Sequence, residues 1–275
     1  MGNLALCVLG LIFIITFILY LKKTRQLKDI KNGNISSKEK ESVNKYESGY
    51  PEKKMKNGLT RTAGEIQADL EIDEIKDILV KKGHMEEWEL QRISNFYFKP
   101  SKESSAKYLP QVDHLLLTSR GIYLIESKYW KGKIFYGINQ YTQTKLYPEL
   151  VSHEKNISQY EDNYTYVFKD DQLHPSIYGK GQNGQHPGRQ VKKTALLLSK
   201  RIKQTLGIDL FVRGIVYFNH SQKSVIKVNK VKDHDILDSR NKLELYISGI
   251  FNNSICLSQI EIKNIKELIQ KDNPQ

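Results

Sequence analysis

Three side chains that could do chemistry together lie near the middle of the chain, at Asp113, Glu126 and Lys128. Asp113 lies in an apolar run that ends at Thr118, and the other two end a second apolar run that begins at Gly121. Carboxylate oxygens are hard ligands that suit Mg²⁺ or Mn²⁺, and such an ion can convert bound water into a nucleophile. A lysine beside them could orient that water or offset charge on a phosphate. These residue types indicate metal-dependent cleavage of phosphodiesters.

The two apolar runs predict a β-hairpin, because Thr118-Ser119-Arg120-Gly121 interrupts sequences rich in Leu, Ile and Tyr. A two-residue loop would place Asp113 opposite Glu126, with Cβ atoms about 5 Å apart. A four-residue loop would pair Asp113 with Lys128 and keep all three groups on one face. A three-residue loop with a bulge at Gly121 would turn Asp113 away. Glu126 and Lys128 share a face in every register, because side chains alternate along a strand.

An ordinary hairpin with solvent-facing charges is the alternative, because short motifs often match by chance. Against it, Leu115 to Leu117 and Ile122 to Ile125 are continuous apolar runs. Such runs are typical of strands covered on both faces, where a charge is costly without a partner or a metal.

The hairpin and its flanks resemble the nuclease-related domain (NERD), a branch of the PD-(D/E)XK restriction-endonuclease-like superfamily. The resemblance rests on Gln111-Val112-Asp113-His114, on Gly121-Ile122-Tyr123-Leu124-Ile125-Glu126-Ser127-Lys128 and on Trp130-Lys131-Gly132-Lys133-Ile134, and it covers residues 59–200. Two further landmarks are Gly64-Glu65 at the start of a helix and His186-Pro187-x-x-Gln190 at the start of another. The family usually has Asn where this chain has His186.

The resemblance implies that Asp113, Glu126 and the Ser127 backbone carbonyl bind Mg²⁺ or Mn²⁺, and that Lys128 is the catalytic lysine. It implies nucleic acid as the substrate, with DNA favoured over RNA. Glu65 would be an accessory acid, and Gln190 would belong to the site.

Two of these residues have competing explanations. Thr62 and Glu65 also form a capping-box pattern, and one carboxylate could hardly cap a helix and serve the site at once. Gln190 could face the site or only flank an apolar helical stripe of Val191, Ala195, Leu198 and Ile202. His114 follows the acid in sequence, so alternation predicts a structural histidine on the opposite face.

Leu4 to Leu21 contains no charged residue, and its length just matches the hydrocarbon core of a bilayer of about 30 Å. A cleaved signal peptide is the main competitor, but no positive charge precedes the run and no small-x-small cleavage site follows it. Basic residues come directly after the run. By the positive-inside rule we expect a single-pass protein of the cell membrane, with its N-terminus outside and its C-terminal bulk in the cytoplasm. The bilayer is therefore an expected partner.

Charge and composition divide the rest of the chain. Residues 1–28 are the expected transmembrane helix with its basic flank, and residues 29–58 read as a polar linker. The net charge is +12, and half of the excess falls in residues 22–58, where anionic lipid would explain it. Residues 59–200 would form the nuclease-like domain, and 201–275 a C-terminal α/β extension on the same core. The two cysteines, Cys7 and Cys256, cannot pair if the first lies in a membrane.

The predicted fold class is α/β, with a central mixed sheet flanked by helices. Apolar periodicity predicts helices at 63–82, 187–206 and 258–271, and strands near 87–93, 133–136, 211–218 and 224–228. Tyrosines between residues 137 and 184 could stack on bases, but packing within the domain is the favoured interpretation. Residues 176–188 read as a loop.

The sequence thus predicts a membrane-anchored, metal-dependent nuclease. A catalytically inactive nuclease-fold module that binds nucleic acid or a membrane partner is the main alternative. A generic membrane-tethered interaction protein is the third hypothesis.

Overall fold

The computed structural model describes residues 61–97, 99, 110–139, 164–169, 175–179, 186–229 and 233–272. The expected transmembrane segment and the linker lie outside these residues. None of the described helices is long and apolar enough to cross a bilayer. The described chain is α/β, as predicted, but its strands form two sheets flanked by helices rather than one central sheet.

The helices are α1 (Ala63–Lys81), α2 (Pro187–Leu206), α3 (Arg240–Ile250) and α4 (Gln259–Asp272), with a short 3-10 helix at Glu87–Glu89. The strands are β1 (Leu90–Tyr97), β2 (Gln111–Thr118), β3 (Gly121–Lys128), β4 (Gly132–Ile138), β5 (Tyr164–Phe168), β6 (Ser176–Tyr178), β7 (Val212–Phe218), β8 (Lys223–Lys227) and β9 (Asp235–Leu237).

The larger sheet has the strand order β1-β2-β3-β7-β9, and the smaller sheet has the order β6-β5-β4-β8. The β2–β3 hairpin is antiparallel, while β3, β7 and β9 run parallel. Residues of α1 and α3 pack on one face of the larger sheet around Ile72, Tyr123 and Leu243. Residues of α2, α4 and the smaller sheet pack on the other face around Leu124, Ile134 and Leu198. The hairpin is therefore covered on both faces, as its continuous apolar runs predict.

The hairpin loop has two residues, Ser119 and Arg120, and Thr118 pairs with Gly121. The pairing runs from there to His114 opposite Ile125. One more step in the same register sets Asp113 against Glu126. The two-residue alternative is therefore the one that the structure adopts.

Three sequence expectations need correction. Residues 87–89 are helical rather than strand, because Glu89 accepts from the Glu86 backbone N–H at 2.8 Å and turns the chain before β1. Residues 176–178 are strand rather than loop, because they pair with β5. Helix α3 was not predicted, although Leu243, Ile247 and Ile250 have helical spacing. The favoured interpretation of the tyrosines is correct for β5, where Tyr164 and Tyr166 are buried in their own sheet.

Candidate active site

Strand β3 carries Glu126 and Lys128 to the C-terminal end of the larger sheet. The Glu126 side chain is 2% exposed, and its Oε1 accepts from Lys128 Nζ at 2.5 Å. Because the residues are two apart on one strand, both side chains emerge on the same face. The acid-x-lysine pattern therefore forms a buried ion pair in this structure.

Asp113 reaches the same strand end from β2. Its Oδ2 accepts from the Ser127 backbone N–H at 2.9 Å, and the residue is 7% exposed. The N–H and C=O groups of one strand residue point to the same edge, so the Ser127 carbonyl faces the Asp113 side. The Lys128 carbonyl faces the opposite edge, where the Asn219 N–H donates to it at 3.3 Å.

Glu65 approaches from the first turn of α1. It completes a capping box with Thr62, and both hydrogen bonds measure 3.3 Å. Glu65 is nevertheless 9% exposed, and its pKa is raised by burial and by Asp113. The capping role is therefore confirmed, and Asp113 is close enough to influence the pKa of Glu65.

We call Glu65, Asp113, Glu126 and Lys128 the acidic cluster. Burial raises the pKa of Glu126 to about 7, with Asp113 and Glu65 acting in the same direction and Lys128 opposing them. Burial alone would lower the pKa of Lys128, but the three carboxylates outweigh it and raise that pKa. Three acidic side chains thus influence one ammonium group, with Glu126 as its hydrogen-bond partner, and the cluster holds more acidic than basic groups.

The donor set of the acidic cluster fits a hard divalent cation, because it offers carboxylate oxygens and the Ser127 carbonyl. In this structure, the Lys128 ammonium group forms an ion pair with the Glu126 carboxylate. Among the described residues, no three Asp, Glu, His or Cys side chains converge closely enough to hold one metal ion. The chemistry of the donors suits Mg²⁺ or Mn²⁺. In this structure Glu126 bonds Lys128, and Asp113 bonds the Ser127 backbone N–H.

A second buried polar group, the Asp69 network, lies next to the acidic cluster. It consists of Asp69 with Arg61, Arg92 and His114. The His114 ring is fully buried, with Nδ1 2.7 Å from Asp69 Oδ1 and Nε2 3.3 Å from Ser127 Oγ. Burial lowers the pKa of His114 to about 4, so the ring is neutral. This position matches the structural role that strand alternation predicts for His114.

The sequence His186-Pro187-x-x-Gln190 opens α2, as predicted. His186 is the N-cap, and its Nδ1 accepts from the Arg189 backbone N–H at 3.4 Å. An Asn side chain caps helices in the same way, so the substitution preserves the capping role. Among the described residues, Gln190 makes no side-chain hydrogen bond to the acidic cluster, and neighbouring Val191 packs in the core beneath it.

Sequence reasoning missed Asn219, which lies at the strand ends beside Lys128. Its Nδ2 donates to the Gly64 carbonyl at 2.6 Å, and the residue is 4% exposed. One signal was present, because a polar residue that directly follows a buried parallel strand lies at the edge where α/β sheets place their sites. No comparable sequence pattern marked Asp69, Arg61 and Arg92, because single charged residues on a helix or strand usually face solvent.

The family assignment comes from residues 62–219, which match the model of the nuclease-related domain. This range contains the hairpin, both helix starts and Asn219, and it spans more than half of the chain. No curated protein matches the chain. No solved structure matches it either. The two sheets flanked by helices are consistent with a nuclease-like fold, and the chain belongs to the nuclease-related domain family.

Proposed function

We propose that this protein is a metal-dependent nuclease that hydrolyses phosphodiester bonds in nucleic acid, DNA in preference to RNA. The observation that carries the proposal is the acidic cluster, in which Lys128 bonds the buried Glu126 and the buried Asp113 bonds the Ser127 backbone between them. Burying like charges together is costly, so such a site is retained where a cation or a reaction requires it. Membership of the nuclease-related domain family supports the same reaction class.

The residues have distinct roles in this proposal. Asp113, Glu126 and the Ser127 carbonyl would hold Mg²⁺ or Mn²⁺, which supplies a Lewis acid and an activated water molecule when bound. Lys128 remains protonated because the carboxylates raise its pKa. Turned from Glu126 toward the substrate, its ammonium group would donate to a phosphate oxygen and offset developing charge.

Glu65 and Gln190 are the outer members of the proposed site. Glu65 would contribute a further carboxylate when it leaves its cap, and its nearness to Asp113 supports this role. Gln190 lies in the first turn of α2. This helix runs antiparallel to β7, as shown by the contact of Val191 with Gly214 and by the hydrogen bond from the Val212 N–H to Ser199. The start of α2 therefore points toward the strand ends that carry Lys128.

The proposal also places the domain at the inner face of the cell membrane. Residues 4–21 carry no charge, and basic residues follow them directly. A single span with its N-terminus outside would restrict cleavage to nucleic acid near the bilayer.

A cleavage assay on the purified full-length protein tests the activity. Single-stranded, linear and supercoiled DNA and RNA are incubated with Mg²⁺, with Mn²⁺ or with chelator. The natural protein should cleave only with metal, and Asp113→Asn and Lys128→Met should lose cleavage. Lys133→Met is the matched control, because Lys133 is an exposed lysine on the next strand.

The outcomes separate the proposal from its alternative. Nucleic-acid binding without cleavage under every condition, unchanged in Asp113→Asn and Lys128→Met, would establish an inactive binding module. Neither binding nor cleavage would overturn both nucleic-acid hypotheses. Fractionation of cells that express the chain with and without residues 4–21 tests the anchor, and equal recovery in the soluble fraction would contradict it.

A further inference from the structure

Asn219 ties the first turn of α1 to the end of β3. Its backbone N–H donates to the Lys128 carbonyl at 3.3 Å, and its side-chain Nδ2 donates to the Gly64 carbonyl at 2.6 Å. One residue therefore bridges the lysine-bearing strand and the residue that precedes Glu65.

The bridge works only because position 64 is glycine. A Cβ on Gly64 would lie 2.5 Å from Tyr129 Cβ and 3.3 Å from Asn219 Oδ1. The first of these distances is far below a normal carbon–carbon contact, and Tyr129 Cβ is fixed to its backbone. Any larger residue would push α1 away from the strand end. Gly64 thus permits the close approach, and Asn219 holds it.

The Asn219 side chain is costly as a purely structural element. The residue is 4% exposed, and its Oδ1 has no hydrogen-bond partner among the described residues. A buried acceptor without a partner is destabilising, and this offsets much of the gain from the hydrogen bond to Gly64. Its single side-chain hydrogen bond goes to the turn that carries Glu65.

We propose that Asn219 is a positioning residue that holds Glu65 inside the acidic cluster through the Gly64 carbonyl. The catalytic consequence rests on the proposed nuclease function, but the positioning itself does not. Without the Asn219 amide, the first turn of α1 moves away from Lys128 and Tyr129, and the Glu65 carboxylate moves away from Asp113.

An unfolding cycle tests the positioning without any activity. In chelator at about pH 8, Glu65→Gln should raise the urea midpoint, because burial and the nearby Asp113 both disfavour the charged Glu65 carboxylate, and Gln still completes a capping box. In an Asn219→Ala background the same change should raise the midpoint by less than half as much. In a Ser239→Ala background, where the lost N-cap belongs to α3, the full increase should remain.

An equal increase in all three backgrounds would overturn the proposal, and so would the absence of any increase in the natural protein. If Asn219→Ala does not fold, Asn219→Ser keeps a polar group that is too short to reach Gly64 and replaces it in the cycle.

Cleavage kinetics test the catalytic consequence. Asn219→Ala should lower kcat by about 10- to 100-fold with KM little changed, because only the placement of Glu65 is lost. In a Glu65→Gln background it should cause no further loss, and an additive loss would show that Asn219 acts elsewhere. If the natural protein does not cleave, the nuclease proposal fails, while the unfolding cycle still decides the role of Asn219.

Discussion

Two buried polar groups meet at Ser127, and they differ in charge balance. Ser127 Oγ lies 3.3 Å from His114 Nε2 of the Asp69 network and 3.3 Å from Asp113 Oδ2 of the acidic cluster. In the Asp69 network, two arginines face Asp69, Arg92 also binds Asp73, and the histidine is neutral. In the acidic cluster, three carboxylates face one lysine. The first group is compensated by the protein itself, and the second is not.

The difference separates structural charges from functional ones. A compensated network can stay buried without any ligand, because each charge has a partner of opposite sign. An uncompensated cluster is stabilised when a cation enters or a carboxylate takes up a proton. Burial and pKa shifts occur in both groups, so neither property identifies the site alone. The excess of acidic over basic groups does, because a cation or a proton relieves it.

The largest effect should come from neutralising a carboxylate of the acidic cluster. Glu126→Gln should reduce metal-dependent cleavage by at least about 1,000-fold, because it removes a proposed metal ligand and the partner of Lys128. Initial rates on linear DNA at saturating Mg²⁺ measure the loss. Glu87→Gln, at a glutamate whose side chain is 70% exposed, is the control and should retain full activity. Equal rates in the natural and Glu126→Gln proteins would remove the acidic cluster from the mechanism.

The same kind of change in the Asp69 network should act on stability. Asp69→Ala leaves Arg61 and Arg92 without their shared partner and should cost about 3–5 kcal/mol in the free energy of unfolding. Because no metal is involved, Mg²⁺ should not alter this cost. Denaturant unfolding with and without Mg²⁺ measures it, and Asp73→Ala, whose side chain is 50% exposed, should cost under about 1 kcal/mol. A cost for Asp69→Ala that Mg²⁺ removes would contradict the division between the two groups.

Sequence patterns predicted the parts of this contrast that depend on local order. The spacing of Leu, Ile and Tyr around Ser119 predicted the hairpin, and alternation predicted that His114 points to the face opposite Asp113. The two-residue loop was one of three alternatives, because register depends on turn geometry that composition does not determine. The resemblance indicated Glu65 as a candidate, and folding is what brings it within electrostatic reach of Asp113.

The remaining contacts could not be predicted because they join distant positions. Asp69 meets Arg92 and His114 across α1, β1 and β2, and Asn219 meets Gly64 from the far end of the family domain. Single charged or polar residues have no periodic signal, and their partners are set by how helices pack on the sheet. Helix α3 and the short strands β6 and β9 were missed because brief apolar segments fit several structures.

The pH dependence of stability should show the uncompensated charge directly. The pKa of Glu126 is raised from 4.5 to about 7 in the folded state. Between pH 4.5 and 7 the folded protein therefore holds a proton on Glu126 that the unfolded chain has lost. The contribution of Glu126 to metal-free stability should therefore fall by about 3 kcal/mol as pH rises from 4.5 through 7. Unfolding in chelator across that range measures it as the difference between the natural protein and Glu126→Gln, in which the contributions of the histidines and of the other carboxyl groups cancel. If the free energy of unfolding has the same slope against pH in the natural and Glu126→Gln proteins, the pKa of Glu126 is not raised.

The Asp69 network should give a change of the opposite sign. Burial lowers the pKa of His114 to about 4 despite the nearby carboxylates of Asp113 and Glu65, and Arg92 and Arg61 act in the same direction as burial. The unfolded chain therefore takes up the proton first, and stability is lost as pH falls from about 6.5 through 4. The loss reaches about 2 kcal/mol at pH 5.

His114→Gln keeps a donor for Asp69 but cannot titrate, so its free energy of unfolding should depend less on pH in acid. His186 and His234, whose pKa values are also lowered, contribute equally to both proteins and cancel in the difference. His84→Gln changes an exposed histidine and should leave the acid limb unchanged. An unchanged acid limb in His114→Gln would mean that the ring is not held neutral, and the Asp69 network would then carry excess positive charge instead of being compensated.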